Sequence, residues 1–253
     1  MEKPKIFVAS CSFGKDSIAT ILLALENNEP LDRVVFAEVV FDYKRGISSE
    51  TPEHIEWIYS TAIPKLESMG VKVDIVKAKK DYVSLCNQVL KSGKNQGKCY
   101  GVQNSKPCYA NSDLKIAPIR QYLNRLKREY EVVQYVGISI DEPKRLERLR
   151  GTNKVSLLEK YGYTEQDARV KCEDYGLLSP CYQTDSRGGC FFCFNASIKR
   201  FIHIRKYYPS YWQAFKELYF ETNSPSFKYS KTLEQVECEM DEKELMDNQP
   251  TLF

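Results

Sequence analysis

Apolar residues fall in a short unbroken run at Ile6-Phe7-Val8-Ala9 and then recur at Ile18, Ile21, Leu22 and Leu25. The run predicts a buried strand, and the helical spacing that follows predicts a helix with one apolar face. From Arg33 a continuous β-branched and aromatic stretch reaches Phe41 and ends at Asp42, which predicts a second strand. A helix is predicted from Pro52 to Met69, with Pro52 suited to a first turn and Gly70 to a stop. Val71–Val76 reads as a third strand, Ser92 to Ser112 as a glycine-containing loop, Lys115–Glu129 as a helix and Val132–Gly137 as a fourth strand. Beyond Gly151 the strands stop, and Ser156–Tyr161, Thr164–Tyr175 and Ile198–Phe220 read as helices, with Thr164-Glu-Gln-Asp167 as a capped start.

Strands alternating with helices imply right-handed crossovers and a parallel sheet covered on both faces, a Rossmann-like α/β class. The expected division is a nucleotide-binding α/β domain over 1–150, a helical Cys-rich segment over 151–225 and a mobile acidic tail over 226–253.

The turn between the first strand and the first helix reads Ser10-Cys11-Ser12-Phe13-Gly14-Lys15-Asp16-Ser17. A glycine, hydroxyls and a lysine at a helix N-terminus suit an anion, because main-chain N–H groups and the helix dipole both favour negative charge there. This is neither the Gly-x-x-x-x-Gly-Lys-Ser/Thr loop nor the Gly-x-Gly-x-x-Gly turn, since the stretch holds one glycine. An ordinary Ser/Gly turn capped by Asp16 is the plainer reading.

Composition narrows the class. The chain has 253 residues, 42% of them hydrophobic and 28% charged, which suits one sizeable domain with an appended subdomain. No apolar run approaches membrane-spanning length, and a strand begins almost at once, so a cytoplasmic protein without a membrane partner is expected. A net charge of +3 does not by itself argue for nucleic acid, although Lys77–Lys80, Arg125–Arg128 and Lys144–Arg150 cluster locally. The 17 tyrosines offer stacking surfaces for bases, with core packing as the default use.

Nine cysteines in a cytosolic chain point to metal or redox chemistry rather than a disulfide framework. Cys190-Phe-Phe-Cys193, after Arg187-Gly188-Gly189, has the form of a metal knuckle. Two more ligands are needed; spacing favours Cys181, and the expected place of its loop at the sheet's carboxyl edge favours Cys108, with Cys99 and Cys172 in reserve. Cys11, Cys86 and Cys172 read by default as small buried apolar residues. With His54 and His203 the only histidines, such a site is thiolate-rich, which suits Zn²⁺ and an iron–sulfur cluster alike.

Together these pieces resemble the PAPS reductase family of the PP-loop superfamily over roughly residues 4 to 220. The Ser12–Ser17 loop carries the likeness, with Asp42 and Ser49-Glu50-Thr51-Pro52 after the second strand, Leu114-Lys115-Ile-Ala-Pro118-Ile119, and Gly137-Ile-Ser-Ile-Asp141-Glu142-Pro-Lys-Arg145. Cys181-x₈-Cys190-x₂-Cys193 resembles the DNA-phosphorothioation ATP pyrophosphatases, and Cys108 falls near the first thiols of iron–sulfur APS reductases.

The resemblance implies an enzyme that binds ATP or a sulfonucleotide with Mg²⁺ and holds a [4Fe–4S] cluster or Zn²⁺ on Cys108, Cys181, Cys190 and Cys193. Ser10, Ser12, Phe13, Gly14, Lys15, Asp16 and Ser17 are expected around the phosphates, and Asp42 and Glu50 near ribose or adenine. Gly137, Asp141 and Arg148 are expected at the nucleotide, and Lys15, Asp16, Lys115 and Arg145 at the chemistry. The implied reaction is adenylation followed by sulfur transfer, with a sulfur-donor protein, a nucleic-acid acceptor and a homo-oligomeric assembly. Glu237-Cys238-Glu239 lacks the Gly-Leu-His that follows Glu-Cys in the sulfonucleotide reductases, so reduction of APS or PAPS stands as the alternative. A non-catalytic nucleotide- or nucleic-acid-binding module is the second alternative.

Overall fold

The computed structural model describes residues 3–93, 95–184 and 188–247. These form two compact units interleaved in sequence: 1–38, 53–77 and 115–182 make the first, and 39–52, 78–114 and 183–253 the second. The chain-order division into 1–150, 151–225 and 226–253 does not follow this contact pattern.

The first unit is an α/β structure around a five-stranded, all-parallel sheet. Its spatial order is Val73–Lys77, Arg33–Glu38, Lys5–Cys11, Glu131–Val136, Lys154–Val155. The central strand buries Ile6, Val8, Ala9 and Cys11 and holds register with both neighbours, Ala9 opposite Val34 and Tyr135. Lys15–Glu26 packs on it through Ile18, Ile21 and Leu22, all fully buried, as the helical spacing requires. Pro52–Trp57 continues through a π-helical turn, Ile58–Ala62, into Ile63–Ser68.

Several expectations change. The 33–41 run is two elements, because the parallel neighbours of Arg33–Glu38 end at Cys11 and Lys77. Beyond them the backbone needs new partners, and Val40–Asp42 pairs antiparallel with Ile47–Ser48 in the second unit. Strands do not stop at Gly151: the exposed pair Lys154–Val155 adds an edge strand too short for periodicity to reveal. The Lys115–Glu129 helix is a π-helical segment, Ala110–Ile116, followed by Ala117–Leu126.

The second unit packs on an aromatic core that includes Phe41, Tyr82, Phe191, Phe192, Phe215 and Phe227. The expected helix from Ile198 to Phe220 breaks into Ile198–Tyr207 and Pro209–Glu221 at Tyr208, since Pro209 lacks an N–H and disfavours helical geometry just before it. Instead of a mobile tail the described part of 226–253 contains the helix Leu233–Asp247, anchored by fully buried Leu233, Val236 and Met240. Among the described residues no helix is long and apolar enough to cross a membrane.

Candidate functional site

The strand order fixes where a ligand would sit in the first unit. From Lys5–Cys11 the sheet grows one way through Arg33–Glu38 and Val73–Lys77, then resumes on the other side with Glu131–Val136. The crevice therefore opens at the carboxyl ends of Lys5–Cys11 and Glu131–Val136, the switch point where open α/β sheets bind ligands. The turns leaving those strands carry Ser12–Ser17 and Gly137–Asp141.

Phe13 makes the first turn possible. Its backbone is left-handed, φ 56°, while its ring is fully buried edge-on to Phe36 at 5.1 Å. That burial holds a conformation costing about 1 kcal/mol or more for a non-glycine residue. The loop then closes on itself: the Gly14 carbonyl accepts from the N–H groups of Ser17 and Ile18, each at 3.1 Å, and from the Ser17 hydroxyl at 2.9 Å. The Ser12 N–H donates to the Ser17 hydroxyl at 3.3 Å. Ser10 accepts from the Gln134 amide at 2.6 Å and so belongs to the sheet.

At the helix start the Lys15 N–H donates to the Tyr182 hydroxyl at 2.9 Å, in the position an anion oxygen would take. The Lys15 ammonium lies 2.8 Å from Asp16 and 2.7 Å from Glu165. Burial pulls this ammonium down, but the two carboxylates outweigh it and hold its pKa above the ordinary lysine value. Burial pushes the Asp16 carboxyl up, against the pull of Lys15.

Gly137 sits against this same turn. A Cβ there would lie 2.7 Å from the Asp16 carbonyl carbon and 2.8 Å from the Ser17 nitrogen, so glycine is what allows the fourth sequence-predicted strand to end beside the loop. Asp141 accepts from the Glu165 N–H at 2.6 Å, and Arg145 pairs with Glu142 at 2.6 Å. Arg148 is exposed, and Lys115 is close enough to act electrostatically on Cys11, whose thiol burial pushes up to about 11.

Sequence reading missed four residues around this loop. His54 is buried, with Nδ1 2.7 Å from the Ser179 hydroxyl and Nε2 3.3 Å from the Ser12 carbonyl. Tyr182 and Glu165 come from more than a hundred residues away, beyond any local pattern. Glu38 is the carboxylate that ends the second strand within this unit; it is buried and receives Lys77 at 2.8 Å and the Tyr59 hydroxyl. Its signal was a lone acid inside an otherwise apolar strand run.

Asp42 and Glu50 belong to the second unit. The Asp42 carboxylate accepts from the Lys44 and Arg45 N–H groups at 2.8 and 3.2 Å, closing the turn before Ile47–Ser48. Glu50 is buried, and its backbone bridges antiparallel to Cys190. Phe191 extends that contact, its N–H donating to the Ser49 carbonyl at 2.8 Å.

The Cys-x-x-Cys pair is anchored by the rings between its thiols: Phe191 and Phe192 are core residues, and Phe192 stacks on Tyr82 at 4.1 Å. The Cys193 N–H returns to the Cys190 carbonyl at 3.1 Å, and the Ala196 N–H to the Cys193 carbonyl at 2.7 Å, a tight knuckle-like turn. Cys108 packs on the same core, its thiol pushed up by burial and by the nearby Cys193. Cys181 and Cys172 lie in the first unit. The Ser179 hydroxyl donates to Cys181 at 3.2 Å, and the Cys172 thiol donates to the Lys15 carbonyl at 3.2 Å. Both thiols act electrostatically on the Tyr182 phenol. Among the described residues no three His, Cys, Asp or Glu side chains converge as a metal shell would. Arg187 lies outside the described residues.

No family model matches the chain, and no curated protein matches it. Among solved structures it is similar to the U34-tRNA thiolase NcsA from Methanococcus maripaludis, solved with its [4Fe-4S] cluster. Identity is 13% and the TM-score 0.42, over 96% of this chain and 81% of that one.

Proposed function

We propose that this chain is an adenine-nucleotide enzyme that binds ATP at the Ser12–Ser17 loop and adenylates an acceptor for sulfur transfer, the acceptor being a nucleic acid. The observation that supports it best is the place of the loop: a strand-to-helix turn at the switch point of a parallel sheet, at the N-terminus of a 12-residue helix. First-turn N–H groups have no acceptor within the helix and favour an anion.

In this reading the triphosphate takes the Lys15 N–H and ammonium from their present partners. An acceptor oxygen attacks the α-phosphorus, the bond to the pyrophosphate oxygen breaks, and pyrophosphate leaves with that electron pair. A sulfur nucleophile delivered by a donor protein then displaces AMP. Lys15, Lys115, Arg145 and Arg148 neutralise charge on the phosphates, the usual route to such transfer. Asp16, once released from Lys15, is the loop carboxylate suited to Mg²⁺, which supplies charge neutralisation on the leaving group when bound. Cys190 and Cys193 are the thiols assigned to a metal or iron–sulfur centre on their spacing, and Cys108, which packs on the same core, is the candidate to join them within that unit.

Incubation with ATP, Mg²⁺ and candidate acceptors tests the reaction: release of AMP and pyrophosphate supports it, whereas ADP and phosphate would overturn it. Lys15→Ala should weaken ATP binding about ten-fold or more, as expected for a lost charge-assisted contact. Anaerobic purification with iron and zinc analysis of the wild type and of Cys108→Ser and Cys190→Ser tests the thiol set. For sulfonucleotide reduction the chain offers Cys238, which is exposed on the terminal helix beside acids. Cys238→Ser should leave pyrophosphate release unchanged; loss of sulfite formation from a sulfonucleotide would favour reduction instead.

A further inference from the structure

Between Asp81 and Asp113 the chain carries four lysines, Lys91, Lys94, Lys98 and Lys106, and no acidic residue. Part of this stretch lines a cavity of about 580 Å³ within the second unit. That volume is in the range of small-ligand sites. Tyr100 and Tyr109 form one wall, their ring centroids 4.9 Å apart and their planes at 78°. Edge-to-face packing covers at most one face of a ring, and Tyr109 remains 39% exposed. Lys98 and Lys106 line the same cavity and are exposed.

The cavity wall is held in shape by hydrogen bonds. The Val102 N–H donates to the Ser224 hydroxyl at 2.8 Å, and the Gln103 N–H to the Tyr82 hydroxyl at 2.7 Å. The Tyr109 N–H donates to the Gln103 side-chain carbonyl at 2.8 Å, which fixes the second tyrosine relative to the first. Gly101, with φ 76°, lets the chain pass Ser224, whose hydroxyl would lie 2.8 Å from a Cβ. An irregular segment tied down in this way is preorganised, so a ligand would not have to supply its ordering entropy.

We propose that this cavity binds an unstacked base of a single-stranded nucleic acid, with the base on the Tyr100–Tyr109 wall and adjacent phosphates on Lys98 and Lys106. Aromatic surface accepts any base by stacking, and a strand's phosphates need cations, here Lys98 and Lys106 in the cavity lining, while Asp113 acts electrostatically on Tyr100. A duplex would present no such base. An acidic protein surface would use the lysines but leave the tyrosine wall without a task. The inference names the acceptor class for the enzyme proposed above; it rests on that reading for chemistry and not for binding.

The test titrates the full chain into a short fluorescein-labelled single-stranded RNA of mixed sequence and reads anisotropy across salt concentrations. Tyr100→Ala and Tyr109→Ala should each weaken binding about five-fold or more, the loss of one stacked base. Tyr109→Phe keeps the ring and should bind like the wild type. Replacing Lys98 and Lys106 together by glutamine should lower the log–log salt slope by about 1.4, two single-strand phosphate contacts. A DNA strand of the same sequence reports whether the 2′-hydroxyl contributes. ATP affinity, measured on the same variants, should stay at the wild-type value, which separates failure here from failure of the phosphate loop. The proposal is overturned if the wild type does not bind the strand. It is equally overturned if both alanine variants bind as the wild type does while polyglutamate competes as well as RNA, the behaviour of a charge patch for an acidic protein.

Discussion

At Gly137 a single hydrogen in place of a side chain decides whether the loop and the sheet fit. A methyl group would meet the Asp16 carbonyl and the Ser17 nitrogen at under 3 Å, and both are main-chain atoms that cannot swing aside. Gly137→Ala should therefore displace the first turn of the helix, lowering stability by about 1–3 kcal/mol as overpacking does. ATP affinity, read by calorimetry, should fall with it; a variant that keeps wild-type affinity and melting temperature would refute the close fit. Tyr182 makes the opposite case. Its hydroxyl accepts from Lys15 N–H at 2.9 Å, while Asp16 and Glu165 hold the ammonium. Tyr182→Phe leaves that N–H without its acceptor in the unliganded chain, a loss of about 1 kcal/mol that a phosphate would restore. ATP should then bind several-fold more tightly; weaker binding would mean that the hydroxyl contacts the nucleotide itself. The sequence displayed Lys15 and Gly137 as motif residues, but not Tyr182, which stands 167 positions further along the chain than Lys15.

Among the elements, the terminal helix Leu233–Asp247 shows why burial is hard to read from a weak pattern. Its apolar stripe is narrow and its composition acidic, yet Leu233, Val236 and Met240 are fully buried. Met240→Ala should cost about 2–5 kcal/mol, the usual range for emptying a packed site, and calorimetry should show a melting temperature several degrees lower. A freely mobile tail would show no change. On the exposed side of this helix Cys238 lies 3.7 Å from Glu242, one turn on. Glu242, with Asp241 and Glu239, disfavours the thiolate and raises the thiol pKa above the ordinary cysteine value. Because the thiolate is the reactive form, alkylation of Cys238, followed by peptide mapping, should be slow at pH 8 and accelerate only above the ordinary thiol range. Glu242→Gln should shift that profile to lower pH; an unshifted profile would remove the carboxylate as the cause. The Cys190–Cys193 knuckle was legible as a motif, because two glycines and paired thiols are local features. That its intervening phenylalanines anchor it in an aromatic core was not.

For the molecule as a whole, alternating apolar runs and helical spacings were enough to establish the α/β class and the parallel sheet, because strand and helix periodicities are local and a strand–helix–strand unit closes with one hand. The Ser12–Ser17 turn was readable for the same reason: it lies within six consecutive residues of the chain. Tertiary structure decided the rest. It divided a single apolar run at Val39, because the parallel neighbours ended there and backbone groups had to find other partners. It assigned Asp42, Glu50 and Cys108 to one unit and Lys15, Asp141 and Cys181 to the other, by pooling segments far apart in sequence. It also brought His54, Glu165 and Tyr182 to the Ser12–Ser17 turn. Those meetings come from burying apolar surface between distant segments, a term that depends on the whole chain and leaves no periodic trace in any one stretch of it.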